Sequence, residues 1–200
     1  MCPELRWGLV GLAAVAFSVF AAEPYARLMR PYYECVARVI TATKPWQILD
    51  VSVGPGESSP GSQLKLTGTV RRNPTDPAPA AMVVSKLHVG ATVQLPVTYW
   101  LVVLAWSAAS ARACRMRFLW AIPMYFFLET ITTVAQLLAS LDYAAAMLNA
   151  PGDDPVTLWE HWSRFIEAGG RIALALSGGL LVVAVSSATK PAAIPAPAGT

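Results

Sequence analysis

Charge is scarce in these 200 residues. Only 14% are Asp, Glu, Lys or Arg, 55% are hydrophobic, and mean hydropathy is +0.48. That balance is too apolar for a soluble domain of ordinary size. Histidine occurs twice and cysteine three times, with no CxxC pair, no HExxH and no glycine-rich phosphate loop, so the common signatures of metal and phosphate chemistry are missing. The net charge is +3, but the basic residues are scattered and are not interleaved with aromatics in a patch that would track nucleic acid. Nucleic acid is excluded as the expected partner, and little chain is left over for a large independent enzymatic domain.

What is abundant is apolar sequence. Four runs, 5–22, 91–111, 118–138 and 172–188, approach the roughly 20 residues needed to cross about 30 Å of hydrocarbon. The fold class expected is therefore an integral membrane protein, mainly α, with four transmembrane helices and a small extracytoplasmic antiparallel β element. The short basic turn "RACRMR" at 112–117, together with Arg6 and Lys190, puts both termini in the cytoplasm by the positive-inside rule, although Arg27 and Arg30 oppose it locally. The expected location is a membrane that the chain crosses several times. Run 1–22 reads as a retained anchor; "SVFAAEP" also offers a signal-peptide cleavage site, but the positive n-region is poor. In this topology Cys2 and Cys114 face one side and Cys35 the other, so no disulfide framework is expected.

The outer segment 23–90 divides in two. Tyr32, Cys35, Val36, Val39 and Ile40 recur at helical spacing, which predicts either a short helix over 32–43 on the membrane surface or a kinked continuation of the first span. From Trp46 the period becomes two: Leu49, Val51 and Val53 share one face, and Leu64, Leu66 and Val70 another. With the breakers "GPGESSPG" and "NPTDPAPA", these predict an antiparallel element of about three strands ending in "AMVVSKLHV". In the second outer segment, 139–171, "APGDDP" precedes a stripe of Leu158, Trp159, Trp162, Phe165 and Ile166. This reads as an aromatic interfacial helix, with Trp159 and Trp162 as contacts for a partner. Residues 189–200 are expected to be a disordered Pro- and Ala-rich tail.

One acid interrupts the third run. Glu129 is accompanied by Tyr125, Thr132, Thr133, Gln136 and Ser140 on one helical face, and unsatisfied polar groups in hydrocarbon cost several kcal/mol each. The stripe of Glu129, Thr132, Thr133 and Gln136 must therefore face protein or a wet cavity. No opposite charge is expected at its depth within the chain, so Glu129 is either protonated or met by a cation from another subunit. Three roles remain open: helix-to-helix glue, a partner-protein contact, or a step in a proton or ion pathway. Small residues at Ala14, Ser18 and Ala22, and at Gly169, Ala173 and Ser177, repeat every four positions as in close helix packing. Cys35 reads as buried packing or a free thiol; with His88 or His161 it would form a nucleophile and base, but no local motif frames them. No catalytic residue, metal ligand or cofactor is assigned.

The anchor running into "PYARLMRPYYECVARVI", the strand "QLKLTGTVRR", the run "VQLPVTYWLVVLAWSA" and the closing "TVAQLL" together resemble the exosortase H-associated membrane proteins, a bacterial family of small membrane proteins encoded beside exosortases. The resemblance is one of hydropathy and order over most of the chain. It implies an inner-membrane accessory protein working near an intramembrane sorting peptidase, and leaves open whether the chain binds that exosortase, its substrate or neither; membrane lipids and other membrane proteins are the partners expected from the spans themselves. On this reading the peptidase holds the Cys, His and Arg chemistry, and this chain contributes protein contacts. A small transporter using Glu129, and a membrane enzyme using Cys35 with a histidine, are the alternatives.

Overall fold

The computed structural model describes residues 20–44, 46–56, 61–70, 81–106, 111–149 and 157–188. The first apolar run, with Cys2, Ala14 and Ser18, and the C-terminal tail lie almost wholly outside them. The described chain is mostly helical, with one three-stranded antiparallel sheet.

Helix α1, Ala22–Thr41, is longer than the 32–43 expected and runs unbroken through Pro31. Pro24 sits in the first turn, where a missing N–H costs nothing. Pro31 removes one backbone hydrogen bond, but the buried face of Ala26, Met29, Tyr33, Ala37 and Thr41 holds the helix on both sides of it. At the far end the Thr41 hydroxyl donates to the Ala37 carbonyl at 2.8 Å.

Strands β1 (Trp46–Pro55), β2 (Ser62–Val70) and β3 (Ala81–His88) pair in the order β1-β2-β3. The register sets Val51 opposite Leu66 and Leu66 opposite Ser85. Leu64, Leu66 and Val70 are buried, in keeping with their alternation. Leu49 departs from the expected parity. A bulge between Ile48 and Asp50 inserts one residue and reverses the facing there, so Trp46, Ile48 and Val51 enter the core while Leu49 is exposed.

Five helices follow: α2 (Val89–Ala105), α3 (Ala111–Glu129), α4 (Ala135–Asn149), α5 (Leu158–Phe165) and α6 (Arg171–Ala188). A π-turn, Thr130–Val134, joins α3 to α4, and a second irregular turn, Ile166–Gly170, joins α5 to α6. In the second, Gly169 adopts φ 106°, a conformation that suits glycine. Two continuous stretches, Ala113–Leu148 and Leu158–Ala188, are long and apolar enough to cross a membrane; α2 is shorter.

Helix α6 packs along α2 and α3, the sheet packs on α4, and α1 packs against β1 and α2. The basic stretch 112–117 is not a turn but the opening of α3. Arg117 is buried there, donating to the Val103 carbonyl at 3.4 Å and to the Trp106 carbonyl, with Ser186 of α6 at 3.5 Å. It thereby satisfies carbonyls at the C-terminal end of α2 that have no helical partner. The close-packed face of α6 is also displaced from the expected one. Ala173 and Ser177 are exposed, whereas Ala175, Gly178 and Gly179 are buried, with Gly178 against Leu128 and Gly179 against Val102.

Candidate functional site

Glu129 is the last residue of α3 and is 0% exposed. Tyr25 of α1 donates to its Oε1 at 2.5 Å, and Tyr33 of α1 donates to Oε2 at 3.1 Å. Thr133, one turn on, donates to Oε2 at 2.9 Å. The Tyr125 hydroxyl, one turn back, is shared between Oε1 at 3.2 Å and the Tyr25 oxygen. A carboxylate can only accept hydrogen bonds and has about four lone-pair sites; this donor set satisfies it completely.

The neighbouring charge comes from the same chain. Arg171, the first residue of α6, is buried. Its Nη1 donates to the Ala91 carbonyl in the first turn of α2 at 2.6 Å and to the Thr133 hydroxyl at 3.4 Å, and its Nη2 donates to Gln136 Oε1. Thr133 thus stands between acid and base, giving a proton to one and accepting from the other. The expectation that no cation of this chain lies at the depth of Glu129 is corrected: Arg171 borders the fourth apolar run, and helix α6 begins with it.

The stripe read from sequence divides in three. Glu129, Thr133, Gln136 and Tyr125 join the cluster. Thr132, although buried, turns its hydroxyl back to the Leu128 carbonyl at 2.8 Å, and Ser140 meets Ser85 of the sheet at 3.2 Å. Two tyrosines of α1 and Arg171 complete the site, and all three escaped sequence reasoning. A readable signal existed for Arg171, a charge abutting an apolar run, but none linked Tyr25 or Tyr33 to a residue about a hundred positions away.

The cluster also sits differently in depth. Glu129 closes α3, Arg171 opens α6 and Ala91 lies in the first turn of α2, so the polar groups occupy one end of the three-helix assembly. The apolar run continues past Glu129 because Val134, Leu137, Leu138 and Leu141 are buried under the sheet and α5. Composition alone does not separate a core helix from a membrane span.

Both charged residues adjoin an irregular turn, Glu129 before the first and Arg171 after the second. The indole of Trp162 donates to the Ile131 carbonyl inside the first π-turn, tying α5 to it. Trp159 and Trp162 are half-buried and Ile166 is buried, but Leu158 is 83% exposed and Phe165 is also exposed. The five-residue stripe expected on α5 is therefore split between two faces, and α5 lies along α4.

Cys35 is exposed on α1, His161 is exposed on α5, and His88 caps α2 by accepting from the Gly90 amide at 3.4 Å. The three occupy separate elements. No group of three or more potential metal ligands occurs among the described residues. A cavity of about 780 Å³ opens where the N-terminal ends of α1 and α2 meet the sheet, lined by Glu23, Arg27, Ser62 and His88 among others. Ser62 donates to Glu23 at 2.7 Å and Arg27 pairs with the same carboxylate, and these two partners hold the Glu23 carboxyl below its ordinary value. Compared with protein-family models, curated proteins and solved structures, the chain matches none of them.

Proposed function

We propose that this chain is a multi-pass membrane protein that acts without catalysis, as an accessory subunit making protein contacts. In this reading α2, α3 and α6 cross the bacterial inner membrane with the first apolar run as a fourth span, both termini are cytoplasmic, and the sheet, α4 and α5 stand outside. The observation that supports it best is the closure of the buried polar cluster. Each hydrogen-bonding site of Glu129 is used by Tyr25, Tyr33, Tyr125 or Thr133, and Arg171 is held by Ala91, Thr133 and Gln136. Such a network fixes helices to one another. The length of Ala113–Leu148, 36 residues or roughly 54 Å at 1.5 Å per residue, suits a helix that spans the bilayer and continues into an outer layer.

The resemblance to exosortase H-associated proteins supplies the class of partner: an intramembrane sorting peptidase. The test is copurification from mild detergent with identification of the proteins that accompany the chain. Recovery of a membrane peptidase supports the reading, and recovery of the chain alone from cells that contain one argues against it. A proton- or ion-dependent flux in liposomes that Glu129→Gln abolishes in a folded protein would replace it with transport.

A further inference from the structure

Helix α1 carries two parallel ridges offset by a single residue. Glu23, Arg27, Arg30, Glu34 and Arg38 form one, at spacings of four, three, four and four; Pro24, Leu28, Pro31, Cys35 and Val39 form the other at the same spacings. The first ridge is paired throughout and leans on the sheet. Arg27 pairs with Glu23, Arg38 with Glu34 at 2.8 Å, and Arg30 with Asp50 of β1 at 3.1 Å, while Ser62 of β2 donates to Glu23. The second ridge has no covering element among the described residues: Leu28 is 78% exposed, Val39 69%, and Pro24, Pro31 and Cys35 are exposed. Beyond it lies Tyr32, whose ring packs on Phe126 of α3 at 4.9 Å and whose hydroxyl donates to the Phe126 carbonyl at 2.7 Å.

This order decides what covers the apolar ridge. It runs from the sheet side, where every charge of the first ridge is paired, directly onto α3, where Ile122, Phe126 and Phe127 are exposed and uncharged. We propose that the Leu28–Cys35–Val39 face of α1 lies in the acyl region of the outer leaflet, as an extension of the lipid-facing surface of α3, with the charged ridge directed to water. An amphipathic helix with one apolar face and one charged face settles at that boundary, and arginine side chains reach from it to the aqueous side. Tyr25 and Tyr33, on the side of the helix turned to the bundle, then anchor this surface helix to the buried carboxylate. The inference rests on the membrane reading above and adds which face of α1 meets the acyl chains and which meets water.

Cys35 is a native reporter on the proposed face. A Cys2→Ser, Cys114→Ser chain labelled with bimane at Cys35 is reconstituted into phosphatidylcholine vesicles containing doxyl-labelled lipid. Leu180→Cys on the exposed side of α6 and Thr67→Cys on the open face of the sheet, each in a chain without the native cysteines, serve as references. The expected result is quenching of the Cys35 label by shallow doxyl lipid comparable to that at position 180, with position 67 unquenched by lipid and quenched by aqueous iodide. Quenching at 180 but not at 35 overturns the inference and leaves the membrane reading standing; iodide sensitivity at 35 then assigns the face to water, and its absence to a second protein surface. Lipid quenching at both 35 and 67 overturns the proposed orientation. No lipid quenching at 180 overturns the membrane reading itself.

Discussion

Thr133 donates its hydroxyl proton to Glu129 at 2.9 Å while its oxygen accepts from Arg171 at 3.4 Å. One hydroxyl thus couples the end of α3 to the start of α6, two segments separated by more than a helix in sequence. Replacing it with the isosteric Thr133→Val leaves the carboxylate short of a donor and the guanidinium short of an acceptor, both buried. The expected cost is about 1–3 kcal/mol, with Thr133→Ser close to wild type because serine keeps the donor and acceptor. Thermal and denaturant unfolding in detergent micelles measures the difference, and equal losses for the two variants would show that shape, not the bridge, matters at 133.

Glu129 and Arg171 should respond asymmetrically to substitution. Glu129→Gln keeps acceptor capacity and the shape of the side chain, but it removes the negative charge beside Arg171 and sets an amide donor against four hydroxyls. Glu129→Leu removes every acceptor, leaves the hydroxyls of Tyr25, Tyr33, Tyr125 and Thr133 facing an alkyl group, and strips the buried Arg171 of the negative charge beyond Thr133. Removing one member of a buried pair costs about 3–5 kcal/mol, so Glu129→Leu should fail to accumulate as a folded protein while Glu129→Gln folds with a measurable loss. A double substitution, Glu129→Gln with Arg171→Gln, should recover part of that loss; strict additivity of the two single losses would mean the pair is not coupled. Size-exclusion profiles and unfolding midpoints of the wild type, Glu129→Leu, Glu129→Gln, Arg171→Gln and the double variant provide the comparison.

The periodicity of the sequence carried the sheet and most of the helices, because alternation and 3.6-residue repeats are local properties. It also singled out Glu129 correctly as a residue that needs shelter. It could not say who provides the shelter: Tyr25 and Tyr33 lie on a helix whose packing on α3 is a long-range event, and no local rule joins them. Three local misreadings have local causes. The bulge at Ile48 and Asp50 shifted parity under Leu49, and the arginines of 112–117 are good helix formers that open α3. Small-residue spacing alone picked Ala173 and Ser177 when the buried face of α6 runs through Ala175 and Gly178. The apolar run 118–138 was ambiguous for a physical reason, since burial under the sheet and α5 selects the same residues as burial in lipid.

The turn from α5 into α6 should tolerate very little. A Cβ on Gly170 would lie 2.5 Å from Cε1 of Phe165 and 2.6 Å from the Phe165 carbonyl, a contact that backbone cannot yield cheaply. Gly169 meets nothing within 4 Å but holds φ at 106°, which costs a residue with a side chain roughly 1–2 kcal/mol. Gly170→Ala is accordingly expected to be the more damaging of the two, since it moves the backbone that aims Arg171 at Thr133 and Gln136. Unfolding midpoints in detergent should fall in the order wild type, Gly169→Ala, Gly170→Ala, and the reverse order for the two variants would place the constraint in the dihedral and not in the packing against Phe165.

Glu23 ties the N-terminal end of α1 to the first residue of β2, and its acidity reports on that contact. The Ser62 hydroxyl and then the Arg27 guanidinium favour its charged form, so it titrates below its ordinary value of 4.5 in the folded protein. A depressed carboxyl contributes stability above its unfolded value and loses it as pH falls through the folded one, so the docking of α1 on β2 should weaken only on acidification beneath 4.5. Ser62→Ala, which removes the largest single influence, should move the titration of Glu23 upward toward the ordinary value, and Arg27→Gln, which removes a charge and a hydrogen bond, should move it in the same direction. Side-chain carboxyl chemical shifts followed by NMR through this range in detergent provide the measurement. A Glu23 that titrates at its ordinary value in the wild type, and does not move in Ser62→Ala, would mean that the helix and the strand are not joined through this carboxylate in solution.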